Sequence, residues 1–398
     1  MSALESLQKL AGSEPRQVEA RDALSRMGLP GRQLEGWKYL SLRHIEKLEL
    51  SAPAGQFEGD LSQYDIPGMT CARLVWIDGV FNASLSDSVI GLTQTSNPSD
   101  LDWVSPELDG MAAASLAAGQ LVEFVVSDAI AMPVHCLFLA TGENQAAQPR
   151  VQWRVQANAH LELLEQHAGD GANLVNTVSQ FDVMRDAKVT RYKLMNSTQA
   201  THTAHTWAKV GGNGDFQNHF IDLGGKFHRD QIRVELTEAH ANTRLNGLYM
   251  VDGRDVSDSH TQIDHAVPQC TSAQHYRGIA DGRGKAVFNG IVYIGKNASQ
   301  SATEQKNANL LLSNKAEINP KPELQIHNDD VVASHGSTVG NLDEDQLFYL
   351  RQRGIGEKEA RALLTFAFAE QIAQALPSLP LAEYLESRFA TRLPMDVL

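Results

Sequence analysis

From about residue 70 to 315 the chain alternates apolar and polar side chains with a period of two, as in Val151, Trp153, Val155 and again in Ile232, Val234, Leu236. That is the pattern of strands that bury one face. No long helical face interrupts it. Three segments in this stretch look alike: Leu223-Gly224-Gly225, Leu245-Asn246-Gly247-Leu248-Tyr249 and Phe288-Asn289-Gly290-Ile291-Val292-Tyr293. Their last glycines are 22 and 43 positions apart, close to one and two units of a common period. A period near twenty suits one coil of a parallel β-helix, with glycine and asparagine turning the corners and each coil burying its face on the next. A β-sandwich gives similar alternation with a turn signal about every 8–12 residues. The residues alone leave both open, and the repeated spacing favours the β-helix.

The two ends read differently. Ser13 can cap a helix that starts at Pro15 and repeats Ala20, Ala23, Leu24 and Met27 on one face, and Gly28 with Leu29-Pro30 stops it. An aromatic and charged knot follows, Glu35-Gly36-Trp37-Lys38-Tyr39, with Trp37 as its expected hydrophobic anchor. After Pro320 the helical period returns. Asp343 with Gln346 resembles a capping box, Leu347, Leu350 and Arg351 continue the helix, and Gly354 is a natural stop. A second helix puts Ala360, Leu363, Leu364 and Ala367 on one face before Pro377, and a third starts near Pro380. The expected organisation is an N-terminal helical region over 1–70, a β core over 71–320 and a C-terminal region over 321–398.

Charge and motifs exclude several functions. The 48 acidic residues exceed the 34 basic ones, giving a net charge of −14, which repels a phosphate backbone unless basic residues gather on one face; they do not, so no nucleic-acid partner is expected. The most apolar stretch, Leu121 to Ala140, is broken by Glu123, Asp128, Pro133 and His135, a poor membrane span. Met1 to Leu10 lacks the apolar run of a secretory signal, so a cytoplasmic location is the expectation. Cys71, Cys136 and Cys270 have no C-x-x-C spacing and read as free thiols. No phosphate-binding loop, dinucleotide fingerprint, nucleophile elbow or H-E-x-x-H pair is present, which points to binding or scaffolding rather than catalysis.

Two groups of side chains carry chemistry. His327-Asn328-Asp329-Asp330-Val331-Val332-Ala333-Ser334-His335-Gly336-Ser337 supplies imidazole and carboxylate, ordinary ligands for iron or zinc, although Asp329 and Asp330 also suit a turn that ties down its own backbone. His260, His265 and His275 flank Cys270; 260 and 265 fall on opposite faces of one strand, while 265 and 275 share a face unless a turn intervenes. These three read as packed or solvated histidines.

Residues 286–315, from Ala-Val-Phe-Asn-Gly through Gln305-Lys306-Asn307-Ala308-Asn309-Leu310-Leu311-Leu312-Ser313, resemble the shared core of the SufB and SufD family of iron–sulfur cluster assembly proteins. Lys321-Pro322-Glu323-Leu324-Gln325-Ile326, Asp329-Asp330-Val331, Ser334-His335-Gly336, Leu342-Asp343, Phe348-Tyr349-Leu350 and Arg353-Gly354-Ile355 continue the resemblance in order. The Trp37-Lys38-Tyr39 knot and the length resemble the SufD branch of the family more than the SufB branch.

The resemblance implies a mainly β fold, a right-handed parallel β-helix core flanked by N-terminal and C-terminal α-helical regions. It implies a non-catalytic scaffold subunit that pairs with a SufB paralogue and binds the ATPase SufC, with self-pairing when SufB is absent. SufC docking falls on the helices from Asp343 onward, through Asp343, Phe348, Tyr349, Arg353, Ala360 and Leu364. No cofactor is implied for the chain alone, but an iron–sulfur cluster shared with SufB is, with His335 as its ligand. The family's Cys-Ser-His-Gly has Ala333 in the cysteine place here, so a thiol ligand is lost while imidazole can still hold an iron. The competing readings are a SufB-like scaffold that pairs with itself and a carbohydrate-active β-helix enzyme using Asp329 and Asp330.

Overall fold

The computed structural model describes residues 1–392; the end of the expected C-terminal region, 393–398, lies outside the described residues. Its centre is a parallel β-helix. Each coil contributes one strand to each of two sheets, so that sequence-consecutive strands lie in different sheets and neighbours within a sheet are one coil apart. In the first sheet Lys188 lies opposite His160 on one side and Asp215 on the other, offsets of 28 and 27 residues. In the second, Lys285 lies opposite Val256 and Glu317, offsets of 29 and 32.

The coil is therefore longer than the spacing of about twenty suggested by the glycine echoes. Of those glycines only Gly225 lies at a corner, between strands Asp215–Asp222 and Phe227–Leu236. Gly247 sits in mid-strand because a Cβ there would lie 2.1 Å from the Tyr276 ring, and Gly290 because a Cβ would lie 2.3 Å from Gln305 Nε2. Both make room for large side chains inside the coil.

The corners that lead from the second sheet back to the first carry a different repeat, while Gly224, Gly253 and Gly282 turn the opposite corners at positive φ. Asn158, Asp186, Asn213, His240, Gln269 and Gln300 all adopt positive φ, between 53° and 66°, at spacings of 27 to 31 residues. Each is followed by a small buried residue: Ala159, Ala187, Gly214, Ala241, Cys270 and Ser301. Short or flexible polar side chains accept the left-handed conformation that the turn demands, and the small neighbour tucks into the coil interior. Cys270 is thus a corner residue, and all three cysteines are free thiols.

Inward columns of side chains fill the coils. Toward the N-terminal end they are apolar, with Trp76 stacked on Phe138 at 4.5 Å, Phe124 on Trp153 at 4.9 Å and Phe181 near Phe216 at 5.3 Å. Midway they turn ionic. Glu165 receives two bonds from Arg191, at 2.6 and 2.9 Å, and one from His167 at 2.8 Å, all fully buried. Burial raises the Glu165 carboxyl, but Arg191 and Lys193 outweigh it and hold the group well below the usual range.

Among the described residues there are six helices: α1 (Ala3–Lys9), α2 (Pro15–Met27), α3 (Gly110–Ala118), α4 (Glu344–Gln352), α5 (Glu357–Ala373) and α6 (Leu379–Arg392). Helix α2 begins at Pro15 and ends at Gly28 as its sequence predicts, but Glu14 rather than Ser13 is the N-cap, exchanging backbone and side-chain bonds with Gln17. Helix α3 lies inside the stretch expected to be all strand; Asp109 caps it and its run of alanines is fully buried against α2. Trp37 is an anchor as expected, buried, with its indole N–H donating to Asp109 Oδ2 at 3.1 Å and the Arg229 guanidinium 4.2 Å from its ring. The β-helix also runs past residue 320: strands Glu317–Ile326 and Val331–Gly340 are its last two, so the expected boundary falls twenty residues short.

Candidate functional site

The two ends of the β-helix are finished differently. At the N-terminal end, each sheet closes with a short antiparallel strand, Val80–Phe81 on the first and Leu92–Gln94 on the second. At the C-terminal end, Val331–Gly340 and Glu317–Ile326 are outermost and, among the described residues, unpaired on their far side. Pro320 and Pro322 remove two donors from the latter strand. Val331–Gly340 has no proline and is almost wholly exposed, including Val332 at 73% and Val339 at 44%. A long, apolar, unpaired edge of this kind is a template for another strand, and soluble proteins usually cover it.

His335 lies in the middle of that edge. It registers with Gln305, which registers in turn with Gln274, both fully buried and facing the coil interior. His335 therefore stands on the inner face at the open mouth, exposed because no further coil stacks on it. Ser337, two residues on, shares that face and donates to Asn307 Oδ1 at 3.4 Å. Ala333, on the same face, packs beside Val292 and Leu324.

Of the residues behind His335, Gln305, Asn307 and Asn309 enter the sequence reading only within the resemblance, Tyr249 only within a repeated segment, and Gln274 and Thr261 not at all. Tyr249 OH donates to Asn309 Oδ1 at 2.6 Å, Asn309 donates to Asn307 Oδ1, and Gln305 Nε2 and Thr261 Oγ1 both donate to Gln274 Oε1, at 2.8 and 3.0 Å. A coil period of about thirty residues would have exposed them, since Gln305 is 30 positions before His335.

The other histidines are placed elsewhere. His260 and His265 occupy opposite faces of strand Val256–His265, as their odd spacing predicts, whereas His275 is in the other sheet, so the suggested shared face with His265 is lost to the intervening turn. His265 bonds Ser272 Oγ at 2.8 Å, His275 pairs with Glu304 at 2.9 Å, and His260 lies beside Asp258 at 2.9 Å in a cleft of about 230 Å³ beneath the knot. Asp329 and Asp330 are exposed in the turn between the last two strands, and it is Asn328 that ties the turn, accepting from Asp330 N and donating to Lys296 O. Among the described residues no three His, Cys, Asp or Glu side chains converge as a metal site.

The C-terminal helices return along the outer face of the first sheet, covering Leu194, Ile221 and Leu248 with Leu347, Ile372 and Leu385. Arg277 stitches them on, with its guanidinium 4.5 Å from the Phe368 ring and a bond to Phe368 O at 3.3 Å. Of the residues expected to dock a partner, Asp343 caps α4 by accepting from Asp345 N and Gln346 N. Phe348 and Tyr349 are exposed at 61% and 56%, and Arg353 bonds Tyr349 OH at 3.2 Å. Ala360 is fully buried, which takes it out of a docking surface, and Leu364 is partly buried on the same apolar cluster that joins the C-terminal helices to the sheet. No helix among the described residues is long and apolar enough to cross a membrane.

A model of the SufBD core domain of the SUF iron–sulfur cluster assembly system matches residues 138–368, more than half of the chain and including the open edge. The iron–sulfur cluster assembly protein SufD of Escherichia coli is 28% identical over 395 residues, covering 96% of this chain and 93% of its own length. An iron–sulfur cluster assembly SufBD family protein of Synechocystis is 29% identical, covering 90% of this chain and 86% of itself. The chloroplastic protein ABCI7 of Arabidopsis thaliana is 29% identical over 70% of this chain. With a parallel β-helix, an open terminal edge and a family match across both, this chain belongs to the SufBD family of SUF iron–sulfur cluster assembly proteins.

Proposed function

We propose that the chain is a non-enzymatic scaffold subunit of SufD type, which pairs with a SufB paralogue through its open edge and binds the ATPase SufC through its C-terminal helices. The observation that carries this reading is the unpaired strand Val331–Gly340 with His335 on its inner face. Pairing along that strand extends the first sheet across the interface, and the exposed Val332 and Val339 leave water.

The nascent cluster is cargo. A single imidazole at the mouth suits a shared site in which the partner supplies the remaining ligands, because among the described residues no group of three His, Cys, Asp or Glu side chains forms around His335. ATP-driven movement of SufC acts on α4 and its exposed aromatics. Arg277 transmits it to the sheet two strands from the edge, provided SufC contacts the two states differently. A cytoplasmic location is part of the reading, supported by three free thiols, which a reducing compartment preserves.

Coexpression with SufB and SufC paralogues tests it. The expected outcome is a three-protein complex whose size is unchanged by His335→Ala, while cluster absorbance under anaerobic reconstitution falls. Unchanged absorbance removes the ligand role, and a self-paired chain that ignores the SufB paralogue removes the pairing.

A further inference from the structure

Most inward amide atoms behind His335 are used, and Gln274 Nε2 and Gln305 Oε1 are the two that are not. Asn307 Oδ1 accepts from Asn309 and Ser337, Asn309 Oδ1 from Tyr249, and Gln274 Oε1 from both Thr261 and Gln305. Gln305 gives its Nε2 hydrogen inward to Gln274 and keeps a buried Oε1 with no partner. A buried carbonyl oxygen without a donor is costly and rare, and it calls for an explanation.

Its neighbour on the open side supplies one. Residues in register on adjacent parallel strands stand about 4.8 Å apart, and those on one face stack directly on each other. Gln305 and His335 are such a pair. The amide is also held at fixed height, because Gly290 on the facing sheet has no side chain where Gln305 Nε2 sits.

We propose that Gln305 is a positioning residue for His335: its Oε1 accepts a hydrogen bond from one ring nitrogen and so turns the other, with its lone pair, toward the open edge. An imidazole that meets a metal through one nitrogen commonly has its tautomer fixed by an acceptor on the other. The chain Thr261–Gln274–Gln305–His335 runs from the second sheet to the mouth and sets the ring before a partner arrives. The consequence for cluster binding rests on the ligand role proposed above; the contact itself does not.

The test separates the two. The full-length chain is labelled with 15N-histidine, and the His335 ring signals are identified by their loss in His335→Ala. The expected wild-type ring shows one protonated and one bare nitrogen. Gln305→Met, similar in size but without an acceptor, is expected to bring the two signals toward each other as the tautomers mix. Gln305→Glu, whose carboxylate can be met by the unpartnered Nε2 of Gln274 once that amide turns, is expected to restore the separation. In the complex, Gln305→Met is expected to weaken cluster retention roughly 10-fold or more with assembly unchanged. Identical ring signals in wild type and Gln305→Met overturn the proposal. Mixed tautomers in Gln305→Met alongside an indifferent His335→Ala complex support the contact and dismiss only the ligand role.

Discussion

Lys193 Nζ, fully buried on the first sheet, lies 2.7 Å from Asp230 Oδ1 on the second. The pair bolts the two sheets together through the interior, and Glu165 flanks it at 3.6 Å. A buried pair contributes little beyond an apolar replacement, but breaking it strands a charge.

Lys193→Met is therefore expected to lower unfolding stability by about 3–5 kcal/mol. Lys193→Met combined with Asp230→Leu should recover a large part of that loss, since neither charge remains. Urea titration of the three proteins checks this, and a double variant as unstable as the single one contradicts it.

Acid should unfold the chain well before its carboxylates titrate. Burial holds His135, His167, His219 and His265 down to about 4 from an ordinary 6.5. Their folded forms bind protons less readily than the unfolded ones, so their contribution is complete above pH 6.5 and is lost as pH falls toward 4. His228 acts in the opposite sense, raised by Asp222 against its burial, but it is one group against these four and against His44, His202 and His260, which burial also lowers. Near pH 5, unfolding is expected to take up roughly three or more protons. The pH dependence of the urea midpoint gives that number directly.

The corner repeat predicts an inverted ranking at His240, whose φ is 66°. His240→Val should cost about 1–2 kcal/mol, because a branched side chain resists the left-handed region, whereas His240→Asn should stay within about 0.5 kcal/mol. Thermal melts of both variants check this. A tolerated valine would mean that the turn relaxes.

Phe348→Ala with Tyr349→Ala should leave the melting of the isolated chain unchanged, since both rings face solvent. Affinity for the ATPase should fall by about 2 kcal/mol or more, as expected for exposed aromatics that become interface anchors. Titration calorimetry with the purified ATPase measures it. Ala360 and Leu364 variants should show the reverse, a weakened fold, because they pack α5 against the sheet.

The coarse architecture was legible because alternation and helical periods are local. Asp343, Gly354 and the Pro15 start lie where capping chemistry puts them. The echoes at Gly247 and Gly290 did not give the coil length, which the corner glycines Gly224, Gly253 and Gly282 repeat every 29 residues. Gly247 and Gly290 are set by side chains that arrive from a neighbouring coil or the facing sheet, a non-local demand, whereas one set of corners uses Asn, Asp, His and Gln and the other uses Gly224, Gly253 and Gly282. His335 as a ligand follows from the family resemblance and not from the spacing of its neighbours. Its exposure on an unpaired edge and the amide column behind it needed the register. Likewise Ala360 and Leu364 share a helix face, and only packing shows that this face is inward.

The knot has a cost in time. Glu35 reaches Lys321 at 3.2 Å, and Trp37 rests on Arg229, so residues made early find their seats on coils made late. At about 5–20 residues per second, Trp37 waits on the order of ten to forty seconds after leaving the ribosome before Arg229 follows it. The N-terminal helices meet α3 early and the coils can stack in order as they emerge, while the knot keeps one side open until translation is well past the middle.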